Sequence, residues 1–276
     1  MKRIVAMLCA TVGLIAGCAV DDSTPPEEEA LDTVEGALVI SNALNPNALN
    51  PNALNPNALS QTALNPNALA SSTLAMIRDP GGAGAISRQL LSYTVSCALG
   101  PAQSFSFTWR DGSNVDQPET FWGLLGLAAD WAVSPLDMAG QRWVSACLAS
   151  RVNWYGHPVT LSSRGAHAKL RRLGTQERAN FPSQEGAFYG NLFLPNPVVY
   201  ACYDQPNQAH SRSLLRDCAA GHIDSLGDVV QCGSVEILGS CADYCEPLDA
   251  GGLYHPSCAG VPGEASIAGV ITTFLP

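Results

Sequence analysis

Basic residues are scarce in this sequence: 14 lysines and arginines stand against 24 aspartates and glutamates, for a net charge of −10. The imbalance is uneven, because residues 19–74 carry seven acidic and no basic side chains, whereas residues 75–276 carry seventeen acidic and twelve basic ones. Nucleic-acid binding needs a concentrated basic face, and attraction to anionic lipid needs a cluster of Lys and Arg. We therefore expect no nucleic-acid partner and no electrostatic attachment to a membrane.

Sequence signatures of catalysis are also missing. The chain lacks G-x-S-x-G, H-E-x-x-H, a P-loop and a G-x-G-x-x-G that follows a strand. Its histidines lie among Gly, Ala, Ser and Pro, a context typical of exposed loops; they are His157, His167, His210, His222 and His255. We predict no catalytic residue, no metal and no cofactor.

An apolar run at residues 4–15 follows Lys2 and Arg3 and is too short to span a bilayer permanently, which is typical of a secretory signal peptide. Residues 14–18, LIAGC, resemble the bacterial lipobox. The resemblance implies a signal peptide over 1–17, cleavage before Cys18, and acylation of Cys18, with palmitate among the possible chains. An ordinary signal-peptidase site beside an incidental cysteine is the alternative. Ala19 follows the cysteine where retention in the inner membrane commonly uses Asp, so the resemblance favours a lipid anchor in the outer membrane of the cell envelope.

The remaining cysteines fit export. Eight of them lie beyond residue 76, an even number, which in an oxidising compartment indicates disulfides. They are Cys97, Cys147, Cys202, Cys218, Cys232, Cys241, Cys245 and Cys258. Cys97 and Cys147 end similar apolar stripes, so a bridge between them is the first pairing we predict. The spacing C-x3-C-x9-H-x2-C of Cys241, Cys245, His255 and Cys258 has the ligand types of a structural zinc site, but zinc would break the even cysteine count.

A five-residue repeat, N-A-L-N-P, occupies residues 42–69, with leucines at Leu44, Leu49, Leu54, Leu59, Leu64 and Leu69 and a further leucine at Leu74. A proline every five residues excludes a continuous helix. An odd period sends successive leucines to opposite faces of a strand. Asn-Pro-Asn-Ala favours a type I turn capped by asparagine side chains, and locally resembles the turn repeats of the malarial circumsporozoite protein. We favour a turn-rich spacer; a short solenoid or strands docked on the body, and a ligand for a partner, remain alternatives.

Four segments follow from these patterns. They are a signal peptide (1–17), an acidic disordered linker (18–41), the repeat spacer (42–76) and a disulfide-stabilised globular domain (77–276). We predict an α+β domain in which two helices pack on an antiparallel sheet beside a disulfide-rich C-terminal region. The predicted helices are 83–99 and one capped by Ser134 with Pro135 at its first position; the predicted strands are 103–110, 159–162, 187–194, 198–203 and 268–275.

Apolar stretches at 121–127 and 185–193 place glycines beside aromatics, which indicates either a ligand site or tight core packing. Glu185 is the carboxylate beside such a stretch, and with His157 or His167 it would be the candidate acid/base group of a hydrolase. Trp154 and Tyr155 could stack on a sugar ring if exposed.

The stretches FWGLLGLAADW, QRWVSACLASRVNWYG and EGAFYGNLF, together with the cysteine-rich tail and the repeat after a lipobox, resemble uncharacterised exported proteins of myxobacteria. The resemblance implies a cellular location and an architecture but no activity. We favour a lipid-anchored envelope protein that presents a binding or structural domain to a protein or polysaccharide. A hydrolase acting on envelope polysaccharide or another polymer is the alternative.

Overall fold

The computed structural model of the chain describes residues 39–40, 42–49, 54–171, 174–263 and 265–276. The predicted signal peptide (1–17), the lipid attachment residue Cys18 and most of the acidic linker (18–41) lie outside the described residues. All described residues belong to one compact unit, Asp32–Pro276.

The described helices are mostly short. They are α1 (Pro56–Ser60), α2 (Ser71–Arg78), α3 (Gly82–Ala98), α4 (Met138–Arg151), α5 (Thr175–Asn180), α6 (Gln208–Ser213) and α7 (Cys241–Tyr244). Three single-turn 3-10 helices add Pro46–Leu49, Ala129–Ala132 and Gln205–Asn207. No helix among the described residues is both long and apolar enough to cross a bilayer.

The strands are β1 (Val39–Ile40), β2 (Ser104–Arg110), β3 (Asp116–Trp122), β4 (Leu161–Arg164), β5 (Ser183–Asn191), β6 (Val198–Tyr203), β7 (His222–Ile223), β8 (Val229–Val230), β9 (Val235–Ser240) and β10 (Ile271–Leu275). Among the described residues, six of them form a sheet in the order β1-β4-β10-β5-β6-β9. Its pairings are antiparallel except that β9 runs parallel to β6. Strands β2 and β3 form a separate hairpin, and so do β7 and β8.

The predicted α+β class, with two main helices against a largely antiparallel sheet, is confirmed. Helix α3 lies within one residue of the predicted range, and β6 coincides with its prediction. The predicted start of α4 is wrong: Asp137 rather than Ser134 caps the helix, because its carboxylate accepts a hydrogen bond from the Gly140 amide while the Ser134 hydroxyl donates to the Asp130 carbonyl.

Four disulfides crosslink the domain: Cys97–Cys147, Cys202–Cys241, Cys218–Cys232 and Cys245–Cys258. The predicted bridge between Cys97 and Cys147 is confirmed, and it joins α3 to α4. The other three lie in the region from β6 to β10, where most strands and helices are short. Closing such loops removes conformational freedom from the unfolded chain, which stabilises a region with little core of its own.

The leucines of the repeat lie in the main hydrophobic core. Six of them, from Leu44 to Leu69, are at most 7% exposed, and Leu74 packs against the same core from the side. They share this core with residues of α3, α4 and β5, such as Leu90, Val144 and Phe188. The repeat therefore contributes to the interior of the domain.

Asparagines that precede proline shape each described turn of the repeat. The Asn45 side chain accepts a hydrogen bond from the Asn47 amide, Asn55 accepts one from Ala58, and Asn65 accepts from Asn67 and from Ala68. The predicted asparagine-capped turns are thus present. Since each turn changes the direction of the chain, successive leucines reach different parts of the body despite their odd spacing.

Backbone hydrogen bonds fasten the repeat to distant parts of the chain. The Leu44 amide donates to the Arg151 carbonyl at 3.0 Å, and the Leu64 amide donates to the Trp131 carbonyl at 2.7 Å. Gly233 lies so close to the repeat that a Cβ there would come within 2.1 Å of the Pro46 carbonyl oxygen. The predicted spacer over 42–76 does not agree with this burial and bonding. The alternative of a short solenoid or strands docked on the body agrees in its docking, but the described repeat residues form helical turns rather than strands.

Candidate functional site

The cysteines of the spacing considered for zinc, which we expected to form disulfides, are bonded in pairs. Cys241 is bonded to Cys202, and Cys245 to Cys258, so their sulfurs are not available as thiolate ligands. The fourth member, His255, is buried, with one ring nitrogen against the Glu246 carbonyl and the other against the Gln184 amide nitrogen. Burial lowers the pKa of His255, which favours the neutral imidazole as a structural hydrogen-bonding group.

Glu185, the candidate acid/base group, is committed to a structural ion pair. Its two carboxylate oxygens accept hydrogen bonds from Nε and Nη2 of Arg216, both at 2.9 Å, and both side chains are fully buried. Arg216 also donates to Asn42 Oδ1 and to the Val152 and Ser150 carbonyls. A carboxylate held in this way cannot approach a polymer substrate, so the pairing we considered for a hydrolase is not available through Glu185.

The two histidines proposed as partners of Glu185 have other surroundings. His157 is exposed in the loop after α4, and His167 lies edge-on to the Trp143 ring with 5.2 Å between the ring centroids. Burial lowers the pKa of His167, and the nearby Lys169 and Arg171 lower it further. Among the described contacts, Glu185 bonds to Arg216 and to neither histidine.

The glycine- and aromatic-rich stretches lie largely in the core, although Trp122 is 65% exposed. Leu125, Phe188 and Phe193 are buried, and a Cβ at Gly186 would lie 2.1 Å from the Cys202 carbonyl oxygen of the neighbouring strand. Of the two interpretations offered for 121–127 and 185–193, tight packing is the one that the structure supports.

Trp154 and Tyr155, in contrast, are exposed. They follow the end of α4, where the Asn153 side chain accepts a hydrogen bond from the Tyr155 amide and donates to the His157 and Leu215 carbonyls. This asparagine closes a tight turn and points the two aromatic side chains outward, at 40% and 45% exposure.

Asp217 organises the surface around these aromatics. Its Oδ2 atom accepts hydrogen bonds from the Tyr155 hydroxyl at 3.0 Å and from His222 Nδ1 at 2.8 Å, when that nitrogen carries the proton. The His222 ring stacks on Trp154, with 4.2 Å between centroids and 12° between planes. We call Trp154, Tyr155, Asp217 and His222 the aromatic cluster.

Hydrogen bonds and an unusual backbone angle fix the base of the aromatic cluster. Burial raises the pKa of the Tyr155 phenol, and the Asp217 carboxylate raises it further, so Tyr155 remains a hydrogen-bond donor at neutral pH. Leu215, two residues before Asp217, has a left-handed backbone with φ of 57°. Such backbone strain in a non-glycine residue persists where the surroundings fix the conformation. Here Arg216 bonds to Glu185 in the core, while the neighbouring Asp217 bonds to Tyr155 and His222.

A small hairpin projects beside the aromatic cluster. Strands β7 and β8 pair His222 with Val230 and Ile223 with Val229, and the Cys218–Cys232 disulfide closes the base of the hairpin. The Asp224 side chain accepts hydrogen bonds from the Leu226 and Asp228 amides, which fixes the turn. Leu226 at its tip is 84% exposed.

The sequence interpretation identified Trp154 and Tyr155 but missed the rest of this surface. Asp217 and His222 lie far from the two aromatics in the sequence, and no known motif relates their positions. One signal was present. Residues 222–230, HIDSLGDVV, contain a turn formed by Asp and Gly between two short β-branched runs, enclosed by Cys218 and Cys232. This pattern is typical of a disulfide-closed hairpin.

The carboxylate of the aromatic cluster is buried, whereas the two aromatic rings are exposed. Asp217 is 3% exposed, and its Oδ1 atom is buried without a hydrogen-bond partner among the described residues. A buried carboxylate that holds two neighbours in place positions them and does not itself reach a substrate. No protein-family model matches the chain, and neither the curated proteins nor the solved structures contain a significant match to it.

Proposed function

We propose that this chain is a lipid-anchored protein of the cell envelope, attached through Cys18, that holds a disulfide-stabilised binding domain close to the membrane surface. The motivation for the anchor is the lipobox-like LIAGC at residues 14–18. The four disulfides support an exported protein, because such bonds persist in oxidising compartments. The alanine after Cys18 favours the outer membrane.

The observation that carries the proposal is the docking of the repeat. Since Leu44 and the following leucines are buried in the core, residues 42–69 add no distance between the anchor and the body. Because Val39 and Ile40 also pair with β4, the connection to Cys18 is limited to residues 19–38. A flexible chain of that length spans roughly 25 Å on average. The domain would act near the lipid headgroups instead of at the end of a long spacer.

Binding is favoured over catalysis because Glu185 is sequestered by Arg216 at full burial, whereas Trp154 and Tyr155 are exposed on a rigid support. Exposed aromatics contribute large contact areas to interfaces at small entropic cost. The domain is therefore suited to hold a partner or a surface.

Replacing Cys18 by serine is expected to abolish metabolic labelling with a fatty-acid probe and to shift the protein from the membrane to the soluble fraction, because a serine hydroxyl cannot form the thioether that carries the lipid. Cys9→Ser is the matched control: it lies in the segment removed with the signal peptide, so labelling should equal that of the unmodified protein. Persistent labelling of the Cys18→Ser protein would contradict the anchor.

A further inference from the structure

We propose that the aromatic cluster and the hairpin β7–β8 together contact the lipid bilayer that carries the anchor, with Trp154, Tyr155 and Leu226 at the boundary between headgroups and acyl chains. This inference rests on the proposed attachment at Cys18. It adds a second, protein-mediated contact that fixes the orientation of the domain on the membrane.

Exposed apolar residues are concentrated on this surface. Of the twelve large hydrophobic side chains that are exposed among the described residues, six lie in or beside the aromatic cluster and the hairpin. They are Trp154, Tyr155, Leu215, Ile223, Leu226 and Val229. Contiguous exposed apolar surface on a soluble domain marks a site that contacts another molecule or a membrane.

The residue types and the fixed conformation of the hairpin suit a bilayer interface. Trp and Tyr have an apolar ring and one polar atom, which is why they are enriched where hydrocarbon meets headgroups. Leu226 lies four residues beyond His222 and so at most about 14 Å from it along an extended chain. Because Asp224 and the Cys218–Cys232 disulfide fix the hairpin, placing Leu226 in lipid requires little ordering of the chain.

The anchored end of the chain enters the body beside this surface. Asn42 donates to the Val159 carbonyl at 2.6 Å and accepts hydrogen bonds from Asn153 and Arg216, and Asn153 is the residue that holds the Trp154–Tyr155 turn. Toward the N-terminus the backbone pairs Ile40 with Leu161 and Val39 with Ser162, a path of about 10 Å at strand spacing. Residues 19–38 separate Val39 from Cys18 in the sequence, so the proposed anchor joins the domain through Val39.

Charge determines the type of lipid. The hairpin tip has Asp224 and Asp228 beside Leu226, and anionic headgroups would repel both carboxylates. Contact is therefore expected with zwitterionic headgroups through apolar burial rather than through electrostatic attraction.

The same surface is less suited to binding a saccharide. Sugar recognition needs polar groups that converge on the ligand hydroxyls. Here one face of Trp154 is covered by His222, the Tyr155 hydroxyl is bonded to Asp217, and the Asp217 carboxylate is turned inward.

The test uses the mature chain beginning at Cys18. With its eight other cysteines in disulfides, Cys18 is the thiol available for coupling to a maleimide phospholipid in zwitterionic vesicles that contain brominated acyl chains. Tryptophan fluorescence is measured for the unmodified chain, for Trp154→Phe and for Trp122→Phe. Trp122 is the matched control because it is 65% exposed but lies at the end of β3, outside the surface. Circular dichroism verifies that each variant is folded.

The proposal predicts bromine quenching of the unmodified chain, loss of most of that quenching in Trp154→Phe, and little change in Trp122→Phe. A second pair of variants tests the hairpin. Leu226→Ser should reduce quenching severalfold, whereas Val133→Ser, at a site that is 82% exposed elsewhere on the protein surface, should not.

Equal quenching of all variants, or none in the unmodified chain, overturns the proposal. The proposal is also overturned if soluble envelope polysaccharide shifts the emission of Trp154 while brominated lipid does not quench it. Chemical coupling keeps this outcome separate from acylation in cells, which the Cys18→Ser experiment tests.

Discussion

Replacing Leu64 by alanine is expected to lower the free energy of unfolding by about 2–5 kcal/mol, the range for deleting a buried leucine side chain from a close-packed core. Leu64 is 1% exposed and belongs to the main core, and its amide bonds to the Trp131 carbonyl. Since small domains are stable by about 5–15 kcal/mol in total, combining this change with Leu44→Ala is expected to leave little folded protein at 37 °C.

Urea denaturation followed by circular dichroism measures the effect. Asn67→Ala is the matched control, because Asn67 lies in the same repeat and is exposed; a surface change of this kind is usually within about 0.5 kcal/mol. If Leu64→Ala and Asn67→Ala are equally mild, the repeat is not part of the core.

Replacing Arg216 by methionine is expected to destabilise the domain by about 3–5 kcal/mol, because it leaves a buried carboxylate on Glu185 without a partner. It also removes donors to the Ser150 and Val152 carbonyls and to Asn42 Oδ1. Glu185→Gln should cost a comparable amount, because it leaves the Arg216 guanidinium buried without its counter-charge even though Arg216 keeps those three other bonds.

The two single variants and the double variant form a thermodynamic cycle. Residues in direct contact inside one hydrogen-bond network show coupling of about 0.5–3 kcal/mol, so the double variant should be more stable than the sum of the single effects predicts. The exposed pair Arg110–Asp116, at 2.7 Å, provides the comparison: Asp116→Asn should change stability by less than about 1 kcal/mol. Additive effects at Arg216 and Glu185 would contradict a direct buried ion pair.

Elements with a strong local pattern could be predicted from the sequence. Helix α3 has Leu90 and Cys97 at helical spacing after the breaker at residues 79–82, and β6 is an apolar run enclosed by turn formers. The start of α4 could not be chosen locally, because Ser134 and Asp137 are both good caps. Asp137 is used, since its carboxylate reaches the Gly140 amide.

For the repeat, the local sequence predicts the turns but not the burial of the leucines. The asparagine-capped turns follow from Asn-Pro-Asn-Ala alone. The burial of the leucines depends on surfaces supplied by residues far along the chain, such as Trp131 and Val152, and no periodicity within 42–69 contains that information. The regular leucines were themselves a signal, because a spacer would have no need of them.

The site was likewise predictable only where its residues are close together in the sequence. Trp154 and Tyr155 stood out as aromatics next to a glycine at the end of a helix. Their support by Asp217 and His222 comes from a segment more than sixty residues later, and only the fold brings that segment into contact with them.

Amide hydrogen exchange across residues 42–69 of the mature protein tests the central claim, that the repeat is part of the domain core and leaves a short link to the membrane. Leu44 and Leu64 donate their amides to Arg151 and Trp131, so both amides should exchange only through global unfolding, with the same protection as the core amides of α4. Exchange of both amides at the rate of an unstructured peptide, while α4 stays protected, would contradict the account.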